Sequence, residues 1–448
     1  MRFWNRTRLC GAVCGLLALA GIVSCSVQRT TPSSRLSLVA NVAPAATLSG
    51  VWPQWRGPAR DGVSTETGLA DRWETAGPPL LWETEGLGGG YSSVAVIGDK
   101  IITLGQTAAG PQVMALDVDG GERLWSTPLG GSSSPNSTPT VDGERVFALG
   151  YDGDLVCART ETGEATWKKN FIKDFGGRVP TWGYSESPLV DGDRLIVTPG
   201  SDEALLVALD KQTGKVVWKT RRPENVVSGG HGGAGYASIV ISHGGGVKQY
   251  VQLVGGGLVG IRADDGELLW NYARVANGTA NIPTAIVQDD LVFCSSGYGT
   301  GSALLRLSAK GGGVQVQEEY FLGGNKMQNH HGGMILLNGF IYCGHGHNQG
   351  LPICIDMATG KATWGPERGV GSGSAAIVYA DGHLYYRYEN GILALVEATP
   401  KTYRLKGKFK IASNRGKSWP HPVIAGGRLY LRDQGALLCY DIRRKAKL

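Results

Sequence analysis

The chain has 448 residues, of which 69 are glycine, 42% are apolar and only 18% are charged. This apolar content excludes an intrinsically disordered protein, and abundant glycine with 16 Tyr and 12 Trp favours short strands and tight turns over a helical bundle. Three arginines near the N-terminus and four basic residues near the C-terminus account for the net charge of +6. Because no basic surface remains between them, we expect no nucleic-acid partner.

The first 50 residues predict export and a lipid anchor. Residues 1–24 combine a basic start with an uncharged stretch, which is typical of a signal peptide. The stretch ends in Ile-Val-Ser-Cys, which resembles a bacterial lipobox with Cys25 as the lipidated residue. A plainly cleaved signal and a retained anchor are the alternatives. Residues 25–50 predict a flexible tether, and the non-acidic Ser26 resembles lipoproteins of the outer membrane. We therefore expect a periplasmic location with membrane contact through the lipid alone.

Residues 51–79 precede the first repeat and open with W-P-Q-W-R-G-P-A-R-D-G. We interpret this segment as an N-terminal cap that packs Trp52 and Trp55 against the first repeats. The basic residues 443–448 form a short tail at the other end.

An internal repeat covers most of the remaining chain. The segment V-A-L-D-K-Q-T-G-K-V-V-W at residues 207–218 recurs in altered form, each copy closing on an aromatic residue about every 45 positions. The eight closing residues are Trp82, Trp125, Trp167, Trp218, Trp270, Tyr320, Trp364 and Phe409. Eight repeat ends predict eight structural units.

Each unit also contains an earlier turn about 25 residues before its closing aromatic residue. Several of these turns are Asx-Gly between two apolar runs, which is a strong β-hairpin signal. Examples are Asp142-Gly143, Asp191-Gly192, Asn338-Gly339 and Asp381-Gly382. With a second hairpin before the closing aromatic, one unit contains four antiparallel strands and corresponds to a propeller blade.

The two ends of the repeat region complete one blade between them. Three strands are predicted after Phe409, whereas only one, at about residues 80–85, precedes the first complete unit. Joining them removes two sheet edges that would otherwise invite aggregation. The sequence therefore predicts an all-β protein, an eight-bladed propeller over residues 80–442 closed by strands from both termini.

The motif A-L-D-x-x-T-G-x-x-x-W resembles the repeat of the pyrroloquinoline-quinone (PQQ) type propeller family. That family includes quinoprotein alcohol dehydrogenases, polyvinyl-alcohol-dehydrogenase-like proteins and the lipoprotein of the outer-membrane barrel-assembly machinery. The segment after residue 51 also resembles a motif found ahead of such propellers in secreted proteins. The resemblance implies PQQ as a possible cofactor. Quinoprotein alcohol dehydrogenases, however, typically carry adjacent cysteines above the quinone, and this chain has no Cys-Cys dipeptide.

Five cysteines follow Cys25, so disulfides cannot account for all of them. Cys343 and Cys354 flank a predicted hairpin and could pair. The other three are interpreted as small apolar residues on strands.

Strand order predicts which loops share a face of the propeller. Connections between blades and the second-to-third-strand loops lie on the same face, and they contain the unusual aromatic and polar segments. The residues predicted for this ligand-binding face are Trp182, Tyr184, Glu186, His231, Tyr298, Asn329, His330, His331, His345, His347, Asn348, Glu389, Trp419 and His421.

Four of these residues, His330, His331, His345 and His347, lie within 18 positions of the chain. Imidazoles on neighbouring loops can bind Zn, Cu or Fe, or act as acid and base near neutral pH. A hydrogen-bonded polar rim without a ligand is the third alternative. The four histidines are the candidate ligands of a divalent metal, and the catalytic residues remain open.

Two functional hypotheses follow. In the first, the histidine- and aromatic-rich face binds a small ligand or cofactor, with quinoprotein-like oxidation of an alcohol or sugar as one form of that activity. In the second, the propeller is a non-catalytic scaffold that binds envelope proteins. Titratable and aromatic loops favour the pocket, and we expect a monomer.

Overall fold

The computed structural model describes residues 50–222, 233–412 and 414–445. These residues belong to a unit that spans Thr47–Leu448. The predicted signal peptide, Cys25, nearly all of the tether and the candidate site residue His231 lie outside the described residues.

The described residues form eight four-stranded antiparallel sheets, as the repeats predicted. Strand β1 (Leu80–Thr84) precedes blade 1, and the blades are numbered in chain order. Blades 1 and 2 contain β2 (Ala95–Ile97), β3 (Lys100–Thr107), β4 (Gly110–Asp117), β5 (Arg123–Pro128), β6 (Thr140–Asp142), β7 (Arg145–Leu149), β8 (Asp154–Arg159) and β9 (Ala165–Asn170). Blades 3 and 4 contain β10 (Leu189–Asp191), β11 (Arg194–Val197), β12 (Val207–Asp210), β13 (Val216–Lys219), β14 (Val240–Ser242), β15 (Gln249–Val254), β16 (Gly257–Arg262) and β17 (Leu268–Tyr272).

The second half of the ring repeats the same plan. Blades 5 and 6 contain β18 (Ile286–Gln288), β19 (Leu291–Ser296), β20 (Gly301–Lys310), β21 (Gly313–Gly323), β22 (Asn329–Leu337), β23 (Phe340–His345), β24 (Leu351–Asp356) and β25 (Ala362–Trp364). Blade 7 contains β26 (Ala375–Ala380), β27 (His383–Tyr388), β28 (Ile392–Glu397) and β29 (Leu405–Lys410). Blade 8 contains β30 (Val423–Ala425), β31 (Arg428–Asp433) and β32 (Ala436–Asp441), to which β1 adds its outer strand.

Helical structure in the described residues is limited to α1 (Phe171–Phe175) and a short 3₁₀ turn (Gly244–Gly246). Asn170 caps α1, since its side chain accepts the backbone N–H groups of Ile172 and Lys173. Over the residues that the structure describes, no helix has the length and apolar character that a membrane span requires.

The closing aromatic residues hold neighbouring blades together. The Trp218 indole N–H in blade 3 donates to the Ala263 carbonyl of blade 4 at 3.2 Å. Gly266, in the hairpin turn of blade 4, lies against the same indole, and a Cβ there would come within 2.5 Å of the ring. The repeated Gly and Trp are therefore one packing unit. Equivalent indole-to-carbonyl bonds join Trp125 to Thr160, Trp167 to Lys211 and Trp364 to Thr399.

Blade 8 is closed by both termini, as the repeat count predicted. Strand β1 pairs antiparallel with β32, with Trp82 opposite Cys439 and Thr84 opposite Leu437. The N-terminal strand thus covers the edge that three C-terminal strands would leave open.

Cys343 and Cys354 do not form the disulfide that their predicted hairpin would have allowed. Both cysteines are free and buried on the adjacent strands β23 and β24. Cys343 lies opposite Ile353, whereas Cys354 lies opposite Tyr342. A one-residue offset puts the two side chains on opposite faces of the sheet, so a disulfide cannot form.

The segment that follows Gly50 fills the propeller axis. The sequence predicted a cap on the first blades instead. Trp52 exchanges backbone hydrogen bonds of 2.8 Å with Val96 of blade 1, and Trp55 reaches Thr284 ahead of blade 5. Other residues of the segment form hydrogen bonds with inner strands of four more blades: Pro53 with Val141 of blade 2, Arg56 with Met334 of blade 6, and Ser64 with Tyr379 of blade 7 and Ile424 of blade 8. Arg60 bonds Ser187, just before blade 3. We call residues 51–64 the axial plug.

Candidate functional site

A cavity of about 580 Å³ opens at one end of the axis, above the axial plug. Trp55 and Arg56 of the plug line it together with residues from the connections between blades. The predicted residues that line it are Trp182, Tyr298, His330, His331, His347, Asn348, Trp419 and His421. The strand-order rule therefore brought most of its candidates to one cavity.

Six rings form a continuous wall along this cavity. The ring centroids are 4.3 Å apart for Tyr298 and His347, 4.5 Å for His347 and His330, and 4.3 Å for His330 and His331. The series continues with 4.7 Å from His331 to Trp419 and 4.6 Å from Trp419 to Tyr91. We call these six residues the aromatic wall. Such a surface offers a ligand ring several π faces.

Two further aromatic residues come from the connections ahead of blades 3 and 4. Trp182 and Tyr236 contact each other edge to face, with centroids 5.8 Å apart. The Trp182 side chain is 45% exposed. Polar side chains surround this pair at the cavity surface: Ser133, Ser134, Asn136, Ser185, Ser187, Ser238 and Thr284. The cavity thus combines ring surfaces with hydroxyl and amide groups, a combination typical of small-ligand sites.

One residue of the aromatic wall, Tyr298, and one at the cavity rim, Asn348, have a strained backbone. Tyr298 has φ +56° and Asn348 has φ +53°. A bulky side chain in the left-handed region is uncommon, and such strain concentrates at functional sites. Both residues lie in loops between the second and third strands of their blades, where flanking glycines allow the chain to turn sharply.

His330 connects Tyr298 to a polar network. Its Nδ1 lies 2.7 Å from the Ser374 hydroxyl, and its Nε2 lies 3.3 Å from the Tyr298 hydroxyl. The Ser374 hydroxyl also lies 3.3 Å from Oδ1 of Asn348. Burial lowers the pKa of His330 to about 4. The ring is therefore neutral at pH 7 and positions the Tyr298 hydroxyl beside the cavity.

His421 joins the wall to the plug. Its Nε2–H donates to the His331 carbonyl at 3.0 Å, and its ring lies 4.4 Å from that of Trp55. Burial, together with the nearby positive charge of Arg56, lowers the pKa of His421 to about 3. Burial also lowers the pKa of His331 well below its usual value. These imidazoles act as neutral hydrogen-bonding groups at pH 7.

Four other predicted residues have structural partners beside the cavity. The Tyr184 hydroxyl donates to the Pro199 carbonyl at 3.0 Å in the core. Glu186 accepts the backbone N–H of Thr198, and burial raises its pKa to about 7. Asn329 donates to the Gly344 carbonyl at 3.1 Å. His345 accepts the backbone N–H of Gln328 through Nδ1 at 3.2 Å. Their side chains therefore hold the loops that carry the wall.

Glu389 lies behind the rim. Its Oε1 is 3.4 Å from Nζ of Lys417, and its Oε2 accepts the Ser374 backbone N–H at 3.4 Å. It thus supports Lys417, which lines the cavity.

The four-histidine metal set is not assembled. His345 Nδ1 accepts the backbone N–H of Gln328, so this nitrogen is not available to a metal ion. Over the described ranges, no group of three or more His, Cys, Asp or Glu side chains is arranged to hold a metal ion. Sequence spacing brought the histidines to neighbouring loops, but it could not show which way each ring points.

Some lining residues were missed by the sequence analysis. Trp55 and Arg56 were assigned to a cap, because the repeat pattern does not extend to the segment before it and so does not indicate that this segment enters the axis. Tyr91 and Tyr236 each follow a glycine just ahead of an inner strand, the same Gly-Tyr arrangement as at Tyr184. That shared pattern was the available signal. The tertiary structure turns two of these tyrosines into the cavity and the third into the core.

Known proteins resemble the chain in sequence and in fold. The family model described as outer membrane protein assembly factor BamB matches residues 109–366, more than half of the chain. A BamB from Burkholderia pseudomallei is 26% identical over 131 residues, which are 27% of this chain and 30% of that protein. The chain thus matches less than a third of that curated relative's length.

Two solved structures share the architecture. BamB from Moraxella catarrhalis superposes with a TM-score of 0.58 at 13% identity, covering 81% of this chain and 99% of that one. Quinohemoprotein alcohol dehydrogenase from Comamonas testosteroni gives 0.60 at 14% identity, covering 89% and 81%. At these identities the similarity establishes the fold alone.

The cavity does not fit a quinone assisted by a hard divalent cation. Calcium takes oxygen ligands, above all carboxylates, and the described residues that line the cavity include neither Asp nor Glu. The nearest predicted carboxylates, Glu186 and Glu389, are held by protein partners. The chain also has no Cys-Cys pair to lie over a quinone.

Proposed function

The chain belongs to the PQQ-type repeat β-propeller family whose model is that of BamB, and we propose that its axial cavity binds a small organic ligand in the cell envelope. The observation that carries this proposal is the cavity of about 580 Å³ with its aromatic wall. That volume is in the range of small-molecule sites, roughly 300–1,000 Å³.

The wall supports binding by stacking. Its rings follow each other at 4.3–4.7 Å, so a ring-shaped ligand can contact two neighbours at once. The neutral imidazoles and the Tyr298 hydroxyl then supply directional hydrogen bonds. A surface that only bound proteins would gain more from exposed apolar side chains than from a recessed polar cavity.

Replacing His347 by alanine tests this role. His347 is exposed and stacks between Tyr298 and His330, so its loss removes stacking without opening the core. Stacking of one ring contributes about 1–3 kcal/mol, and we expect binding to be weaker by at least about fivefold. Native mass spectrometry of the natively purified protein identifies the retained ligand, and calorimetry with that compound measures its affinity.

The matched control is His243→Ala, which removes an exposed histidine outside the cavity. It should leave the affinity unchanged. Wild-type protein that retains no small molecule in native preparations would contradict the proposal.

A scaffold role is the second candidate, favoured by the match to the BamB model. Outer strands also expose apolar side chains, including Leu124 at 48% and Val217 at 48%. In that case the protein would bind other envelope proteins through its outer strands. Cellular function that survives His347→Ala but is lost on Val217→Lys would support the scaffold instead.

We also propose that Cys25 anchors the protein to the outer membrane as a lipoprotein. The leader ends in a lipobox-like sequence, and the relatives named BamB are outer membrane assembly factors. Wild-type protein should sediment with membranes, whereas Cys25→Ala should be released into the soluble fraction. The variant has no cysteine to carry the acyl chains, and stable anchoring needs two or more of them. Equal solubility of both forms in cell fractionation would exclude the lipid anchor.

A further inference from the structure

The charged side chains among the described residues that line the cavity have one sign. Arg56 and Lys417 line it, and the described lining residues include no carboxylate. Arg56 is 3% exposed and donates to the backbone carbonyls of Asp61 and Met334. Lys417 is more accessible, with a side chain that is 53% exposed.

Lys417 is placed where a stacked ligand would end. Its Nζ lies over the Trp419 ring, 4.8 Å from the centroid, at one end of the aromatic wall. A ligand that packs on His331 and Trp419 therefore brings its edge within reach of the ammonium group. Glu389, 3.4 Å away on the outer side, is the counterion of Lys417 in the free protein.

Resting on the proposed small-ligand role, we infer that the cavity selects a ring-shaped ligand bearing a carboxylate, which pairs with Lys417 above the aromatic wall. An anion meets two cations and neutral imidazoles there, whereas a cationic ligand would meet Lys417 without a compensating carboxylate among the described lining residues. The ring can be that of a sugar acid or of an aromatic acid. Both present a face that stacks and an edge that carries charge.

Two pairs of probes test the charge preference: D-glucuronate against D-glucose, and 4-hydroxybenzoate against 4-hydroxybenzamide. Calorimetry on the wild-type protein should show the carboxylate of the preferred pair binding about tenfold more tightly than its neutral partner, since a hydrogen bond to a charged group contributes more than a neutral one. The pair that binds more tightly identifies a sugar acid or an aromatic acid.

Three variants separate the charge effect from structural damage. Lys417→Gln should reduce the preference to within about twofold, since it removes the ammonium group. Glu389→Gln should strengthen carboxylate binding about threefold and leave the neutral probe unchanged, because it removes the competing counterion. Lys408→Gln, an exposed lysine on the outer strand β29, should behave as wild type.

The outcomes distinguish this inference from the proposal on which it rests. A retained native ligand that is uncharged, equal affinity for both members of each pair, or an unchanged preference in Lys417→Gln would overturn the carboxylate assignment while the ligand-binding role stands. Failure of all four probes to bind, together with no retained native ligand, would overturn both.

Discussion

Replacement of Trp52 by alanine is expected to lower the free energy of unfolding by about 3–5 kcal/mol, the usual effect of removing a buried large aromatic side chain. Trp52 is 2% exposed and packs with apolar residues of blades 1, 7 and 8 at the base of the axial plug. Its backbone also pairs with Val96 at 2.8 Å. Since blade 8 is closed by strands from both termini, weakened packing there should loosen the whole ring. Urea unfolding followed by tryptophan fluorescence measures the change.

Trp182→Ala is the matched control for this variant. The Trp182 side chain is 45% exposed at the cavity rim, so its removal should change the free energy of unfolding by less than about 1 kcal/mol. It should instead weaken ligand binding. If both variants are equally stable, the plug does not hold the blades together.

Two buried histidines, His330 and His421, are together expected to contribute a loss of about 3 kcal/mol of stability as the pH falls from 6.5 to 5. Burial lowers the pKa of His330 to about 4 and that of His421 to about 3, whereas the pKa of a histidine in the unfolded chain is about 6.5. The unfolded chain therefore binds more protons below pH 6.5. The stabilisation is present above that pH and is lost as the pH falls toward the folded-state values. Between pH 6.5 and pH 5 the loss is about 1.6 kcal/mol per histidine.

His421→Gln should lose about 1.6 kcal/mol less stability than the wild type between pH 6.5 and pH 5. Glutamine keeps an N–H that can donate to the His331 carbonyl, which His421 contacts at 3.0 Å, but it does not titrate. His243→Gln, which removes an exposed histidine outside the cavity, should keep the full loss of stability. Urea unfolding at a series of pH values provides the measurement, and an unchanged slope in His421→Gln would contradict this account.

Much of the cavity could be assigned to one face from strand order. Tyr298 and His347 lie in the second-to-third-strand loops of blades 5 and 6, and His330 lies at the start of β22, where the connection between these blades ends. Strand order puts these positions on the same face. Side-chain direction was not accessible in this way. His345 and His347 are two residues apart, yet His345 bonds the Gln328 backbone and His347 stacks on Tyr298. A bend at Gly346, with φ +87°, breaks the extended geometry that would have aligned them.

The eight-bladed propeller and its closure follow from the amino-acid sequence alone, because the repeat contains local turn and packing signals. Asx-Gly turns favour hairpins in four blades, and Trp82, Trp125, Trp167 and Trp218 each pack on a glycine of the next blade. The entry of residues 51–64 into the axis, which brings Trp55 and Arg56 to the cavity, is apparent only from the three-dimensional structure. That placement depends on contacts between residues more than 200 positions apart, such as Trp55 with Thr284. No periodic pattern in this segment predicts its contacts with seven blades, because those contacts exist only once the ring of blades has closed around the segment.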